Sequence, residues 1–315
     1  MRSSGLEIMV SKILKVDPRL DLWLLLYPSF ILPLMDVERD KAVKRWGFCG
    51  GLVVKKFGSR IEVEHNSRQC LDYAEYILGF WYKPQSFTIT DRKYRELVET
   101  LLNEYCWLGI ATSPADDIEI FISIYLSQNT DFHRNVLRWV RSILEHYGSA
   151  ENFVHRDIGD VARDIGKSYQ LLNLVEGLRM YMDCREVALG MDDDMVKKCL
   201  FRIKGVGPKV FNAYMVYARR SLDYIPIDKN LKDFIKRFDA TSSLVARDPI
   251  KSRCAKYRCG QCPQATFCTH YRLYSVFGRL GAWLQTVAYV HNKLVCRRGM
   301  CRECFLKHLC NYSNR

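Results

Sequence analysis

No stretch of this 315-residue chain is apolar for long enough to cross a bilayer. The longest candidate, Leu22 to Met35, covers about half a span and is interrupted by Pro28 and Pro33. An export signal is missing as well: Asp17 and Asp21 precede the apolar part, and no small-residue cleavage site follows it. Low-complexity linkers are absent, so the parts of the chain are expected to pack closely. Together these absences read as a soluble intracellular protein, cytoplasmic or nucleoid-associated, neither secreted nor membrane-bound, with a monomer as the default state.

Acid is scarce at one end. From Lys251 to Arg315 there are twelve Lys and Arg against one acid, Glu303, so this segment carries +11 of the net +13. A local field of that sign attracts polyanions, nucleic acid first among them, although a basic surface also serves solubility alone.

Cysteine, by contrast, is plentiful: eight of the thirteen fall in two runs near the C-terminus. Cys254, Cys259, Cys262 and Cys268 form C-x4-C-x2-C-x5-C, and Cys296, Cys301, Cys304 and Cys310 repeat the same spacing 42 residues later. A secreted disulfide scaffold would be shorter and would spread its cysteines through loops. Four thiolates this close can wrap a compact cluster, and Cys₄ ligation of a 4Fe–4S cluster is the usual arrangement. Structural zinc more often takes two short Cys pairs from separated segments. The second run is therefore read as a 4Fe–4S site; the first is a second metal site, 4Fe–4S or zinc. The other five (Cys49, Cys70, Cys106, Cys184, Cys199) are scattered and read as buried structural thiols.

Residues 1–95 look mixed. Leu52 to Phe57 and Arg60 to Glu64 read as a hairpin around Gly58-Ser59, and Ser86 to Thr90 as a further strand. From Tyr94 onward the periodicity is helical. Asp116 or Asp117 is placed to cap a helix through Phe121, Ile124 and Tyr125; a second carries Val136, Val140, Ile143, Leu144 and Tyr147. Further helices are expected near 168–182, 193–202, 209–220, 229–238 and 272–293.

Around the helix expected at 209–220 lie the residues that carry chemistry. Gly205-Val206-Gly207 stops one helix and Pro208 restarts another at its favoured first position. Two glycines let the backbone approach a partner, and the exposed amides of the next helix can hold a phosphate. Lys209 follows at once, and Asp228 comes 19 residues later in Ile225-Pro226-Ile227-Asp228. Upstream, Leu126-Ser127-Gln128-Asn129-Thr130 ends a helix in a polar turn. Taken singly these read as a tight turn, a phosphate-binding lysine, a helix cap and a polar helix end.

Together, in this order and ahead of the C-terminal cysteines, they resemble the endonuclease III-like superfamily of helix-hairpin-helix (HhH-GPD) DNA glycosylases over roughly residues 115–315. The resemblance implies a mainly α fold: a helical HhH-GPD core (96–240), a cysteine-rich Fe–S module (241–315) and a small α+β N-terminal domain (1–95). It implies a bifunctional DNA glycosylase/AP lyase of base excision repair acting on duplex DNA with a damaged, oxidised base or an abasic site. Lys209 is then the nucleophile and Asp228 its assistant, Gly205, Val206 and Gly207 grip the DNA backbone, and Gln128, with Asn129 beside it, enters the space left by the flipped base. Arg297 and Arg298 lie within the last cysteine run and would meet DNA phosphates. Lys204 and Arg202 are expected to disfavour the ammonium form of Lys209.

The sequence departs from the family at three points. Asn230 stands where members often have His two residues after the aspartate; the first gap of the last cysteine run is four residues rather than six; and a second such run is new. A sheet-bearing N-terminal extension resembles the 8-oxoguanine and alkylation glycosylases, which lack the cluster, and the 19-residue interval also suits the 8-oxoguanine branch. The cysteines and Ser-Gln-x-Thr resemble the endonuclease III branch, which repairs oxidised pyrimidines. Two other classes stay open: a non-catalytic helix-hairpin-helix DNA-binding protein, and a redox protein whose clusters transfer electrons.

Overall fold

The structure, a computed structural model, describes residues 9–89, 91–190, 192–239 and 243–312. Five short strands come first: β1 (Val10–Lys15), then β2 (Met35–Val37), β3 (Lys41–Lys44), β4 (Val53–Phe57) and β5 (Arg60–His65). They form one antiparallel sheet in the order β1-β5-β4-β3-β2. The expected hairpin is β4–β5: Phe57 pairs with Arg60 across the two-residue turn, and Gly58 supplies the positive φ of +56°. Alternation puts Val54, Ile61 and Val63 inside while Lys55 and Glu62 face outward.

The helices are α1 (Leu22–Leu26), α2 (Arg68–Ile77), α3 (Arg95–Glu104), α4 (Asp117–Leu126), α5 (Leu137–Tyr147), α6 (Ala150–Val154), α7 (Ile158–Asp164), α8 (Tyr169–Gly190), α9 (Asp193–Leu200), α10 (Pro208–Tyr217), α11 (Lys229–Phe238), α12 (Lys251–Lys256), α13 (Thr269–Phe277) and α14 (Leu280–Leu294). One hydrophobic core runs through sheet and helices, from Leu20 to Leu306. The boundary expected at residue 240 falls outside the described residues. No helix among the described residues is long and apolar enough to cross a membrane.

Four expectations change. Ser86–Ile89 is no strand: Pro84 opens a 3₁₀ turn, and Phe87 stacks on Tyr82 at 5.4 Å, away from any sheet edge; Thr90 lies outside the described residues. The segment 272–293 divides into α13 and α14, because Gly278 takes φ +49° and ends the first. Neither Asp116 nor Asp117 caps α4, since tertiary partners take both carboxylates. Asp116 pairs with the buried Lys44 of β3 at 2.5 Å and accepts the Phe48 amide, while Asp117 receives two bonds from the Arg185 guanidinium. Finally, four of the five scattered cysteines pair. Cys49–Cys70 ties the β3–β4 loop to α2 and Cys184–Cys199 ties α8 to α9, whereas Cys106 stays a thiol.

The Lys44–Asp116 pair joins the sheet to the start of α4 and is fully withdrawn from water. Glu119, one turn along, shares this buried corner. Burial first, then Asp116, pushes its pKa from 4.5 up to about 7. A carboxyl whose folded pKa is raised opposes folding once ionised. That cost is absent below the unfolded value and grows as pH rises through about 7. Glu119→Gln is expected to stabilise the protein by up to about 3 kcal/mol at pH 8 and by nothing near pH 4. Denaturant midpoints at the two pH values check this, and a pH-independent effect contradicts it.

Candidate active site

The sequence 200–209 folds as anticipated. Helix α9 ends at Leu200, the chain turns through Gly205-Val206-Gly207, and Pro208 begins α10. Gly205 holds φ +85°, and a Cβ there would sit 2.6 Å from the Tyr125 hydroxyl. That hydroxyl donates to Lys204 O at 2.8 Å, so α4 clamps the hairpin from beneath. Val206 is buried as the hairpin's anchor. Gly207, the N-cap of α10, has open space where a side chain would be, leaving the amides behind it free for an anion.

Helix α10 is buried from Val210 to Tyr217 because it runs through the centre of the bundle, which carries Lys209 inward in its first turn. Among the described residues the Lys209 ammonium has only Ser127 within hydrogen-bond reach, its Oγ at 3.3 Å and its carbonyl at 3.5 Å. Burial lowers the Lys209 pKa, and the nearby Asp228 carboxylate partly opposes this. The expected cause was different: Arg202 and Lys204 lie exposed on the hairpin, and desolvation, not their charge, depresses the amine.

Asp228 caps α11, accepting the Leu231 amide on one oxygen at 2.7 Å and Gln285 Nε2 on the other at 3.2 Å. One oxygen therefore serves the cap while the other faces the cavity, so cap and site roles coexist. Lys209 and Asp228 line one cavity of about 680 Å³. Asn230, at the position often held by His, is buried and accepts from Asn292 at 3.0 Å, so it braces α11 against α14.

Gln128 and Asn129 divide differently from expectation. Gln128 Nε2 donates back to Tyr125 O at 2.9 Å, and its side chain faces a neighbouring cavity beside the hairpin. Asn129, exposed on left-handed backbone at φ +51°, lines both that cavity and the one holding Lys209. Arg297 is exposed at the rim of the Lys209 cavity, and Arg298 is exposed next to it.

Sequence reasoning missed several lining residues. Gln285, Tyr289 and Lys293 lie four apart on one face of α14, a periodicity that was readable; Lys293 also bonds Asp131 at 3.0 Å across the cavity mouth. Pro28 and Phe30 arrive from the N-terminal region, and Phe30 packs edge-on against Phe132 and Tyr217. No local signal marks them. Their segment read only as an interrupted apolar run.

The cysteine runs sit on either side of these elements. Arg258 of the first run pairs with Asp194 at the start of α9, and Lys251 donates to Ile203 O in the hairpin turn. In the second run the Asn311 amide donates to Arg237 O near the end of α11. Cys254, Cys259 and Cys268 face a cavity of about 460 Å³. Burial first, and then the other three thiols of the run, push Cys254 up to about 12; Cys296 rises to about 11 by burial and by its own three neighbours, against Arg237. Among the described residues no group of three or more His, Cys, Asp or Glu side chains closes around one point as a bound ion would require.

No family model and no curated protein matches the sequence. Solved structures do match. The 8-oxoguanine glycosylase/lyase of Clostridium acetobutylicum, in complex with double-stranded DNA containing cytosine opposite 8-oxoguanine, aligns with a TM-score of 0.63 at 14% identity, over 91% of this chain and 97% of that one. The 3-methyladenine DNA-glycosylase of Archaeoglobus fulgidus aligns with a TM-score of 0.64 at 12% identity, over 90% of this chain and 98% of that one. These alignments span about nine-tenths of the chain, and at such identities they establish a shared fold.

The hairpin geometry sets a test. Gly205→Ala is expected to cost about 1–3 kcal/mol, from the positive φ and the contact with Tyr125. Gly207→Ala, at extended backbone facing open space, is expected to cost about 1 kcal/mol or less. Chemical denaturation of both variants measures this, and equal costs contradict the reading.

Proposed function

We propose that this chain, which has the fold of the helix-hairpin-helix DNA glycosylases, is a bifunctional DNA glycosylase/AP lyase that removes a damaged, oxidised base from duplex DNA. The observation that carries the proposal is the pairing of a desolvated lysine with a carboxylate in one cavity, with the phosphate-ready hairpin lining the cavity next to it. A lysine nucleophile must be unprotonated, and burial of Lys209 favours that form. A structural lysine would need no such place.

In the proposed reaction the neutral Lys209 amine attacks C1′ of the damaged nucleotide. The C1′–N bond breaks, its electron pair leaves with the base, and the base takes up a proton. Asp228 stabilises positive charge developing on the sugar, with Gln285 holding the carboxylate in place. The C1′–O4′ bond then breaks, O4′ taking up a proton, and the nitrogen keeps its remaining proton as the opened sugar becomes a protonated Schiff base at C1′, the electron sink for the next step. Loss of a C2′ proton expels the 3′ phosphate by β-elimination, which nicks the strand. Asn129 is the better placed wedge for the vacated space, because Gln128 is tied back to Tyr125. The hairpin amides and Arg297 would hold the backbone without reading sequence.

Each cysteine run is proposed to hold a 4Fe–4S cluster: Cys296, Cys301, Cys304 and Cys310 one, Cys254, Cys259, Cys262 and Cys268 the other. Support comes from the equal spacing and from thiols grouped closely enough to act on one another. A zinc ion at the first run would need its sulfurs gathered around one point, which the described residues do not show, whereas a cluster binds each thiolate to a separate iron. Such a cluster would fix a basic loop in each module, and no step of the base chemistry needs it. As for the base, 8-oxoguanine is the first substrate to try, because the C. acetobutylicum protein of matching fold is a glycosylase/lyase for that base.

Single-turnover cleavage of an 8-oxoguanine duplex tests the reaction. Lys209→Gln is expected to abolish strand nicking, and Asp228→Asn to slow excision by about 10²–10⁴-fold. Because Asp228 raises the Lys209 pKa, its neutralisation should also move the acid limb of the rate profile to lower pH. Full nicking by Lys209→Gln on every lesion, including uracil and thymine glycol, would contradict the proposal.

A further inference from the structure

Each cysteine run has one buried histidine against one of its sulfurs. His270 is 4% exposed and its Nδ1 lies 3.7 Å from Cys259 Sγ. His291 is wholly buried and its Nε2 lies 3.5 Å from Cys304 Sγ. The two do not arise from the sequence repeat: His270 follows Cys268 by two residues, while His291 precedes Cys296 by five. Different routes reach the same contact.

In both rings the far nitrogen is engaged, which decides what the near one can do. Nε2 of His270 accepts the Ile225 backbone N–H at 3.2 Å, so the proton of the neutral ring sits on Nδ1, towards Cys259. Nδ1 of His291 meets the Tyr105 hydroxyl at 3.0 Å. A sulfur bound to metal has no proton to give, so Nε2 of His291 must be the donor to Cys304, and the Tyr105 hydroxyl then donates to Nδ1.

We propose that His270 and His291 are positioning residues for the two clusters, each donating one N–H···S hydrogen bond to a ligating thiolate and so raising that cluster's reduction potential. The inference rests on the reading that both runs hold 4Fe–4S clusters. An N–H donor withdraws electron density from a thiolate and favours the reduced cluster. The same bonds seat the modules. His270 reaches Ile225, three residues before Asp228, and His291 packs edge-on against Phe234 of α11, the helix that Asp228 caps.

The test uses full-length protein labelled with ¹⁵N-histidine, purified anaerobically with its own iron and reduced with dithionite. Pulsed EPR of the unsubstituted protein is expected to show ¹⁵N coupling from histidine. In redox titrations, His270→Leu and His291→Leu are each expected to lower the midpoint of one cluster and leave the other in place. His270→Gln and His291→Gln, which restore an N–H, should recover part of the shift. If a Leu variant loses its iron, the coupling in the unsubstituted protein decides. Iron-loaded protein without ¹⁵N coupling, or Leu variants with both midpoints unmoved, would overturn the assignment. Protein purified without iron overturns the cluster reading instead.

Discussion

The site depends on the removal of one amine from water. Lys209 sits in the first turn of the bundle's central helix, where burial favours the neutral form and Asp228 partly restrains that tendency. The two effects work against each other, and that opposition is useful. In the proposed reaction, an amine with no carboxylate beside it would leave the cationic sugar without a stabilising charge, and one held as a tight ion pair would not be a nucleophile. Here the nearest polar partner of Lys209 is Ser127, and one Asp228 oxygen is occupied in capping α11.

Everything around the pair maintains that separation. The hairpin is pinned by Tyr125 beneath Gly205, which fixes where α10 starts. Helix α11 is braced through Asn230–Asn292 and by the second cysteine module at Arg237, while the first module holds α9 and the hairpin turn. The first cysteine module thus stands behind the hairpin that leads to Lys209 and, through His270, behind the segment before Asp228, and the second stands behind α11. The N-terminal sheet contributes through the buried Lys44–Asp116 pair, which joins it to α4, and its region supplies Pro28 and Phe30 as one wall of the cavity.

Much of this was legible in the sequence because it is local. The hairpin turn, the helix start at Pro208 and the cap at Asp228 follow from residue types at neighbouring positions, and β4–β5 followed from alternation around Gly58. What was not legible is where side chains go once helices pack. Asp116 and Asp117 looked like caps and became partners of Lys44 and Arg185, residues remote in sequence. Gln128 is the wedge expected from the resemblance, but its side chain bonds back to Tyr125, while Asn129, on left-handed backbone, lines the cavity that holds Lys209. The depressed lysine was anticipated, but its cause was misread, since burial of α10 is a property of the whole bundle and surface cations are not its source. The cysteine pairs 49–70 and 184–199 likewise needed tertiary proximity that spacing does not reveal.

The central claim is that Lys209 forms the covalent bond to the sugar. Borohydride reduction of the reacting complex with an abasic or 8-oxoguanine duplex, followed by proteolysis and mass spectrometry of the cross-linked peptide, reads that bond directly. The account predicts one adduct, on Lys209, absent from Lys209→Gln. An adduct on any other amine, or an undiminished adduct in Lys209→Gln, would contradict it.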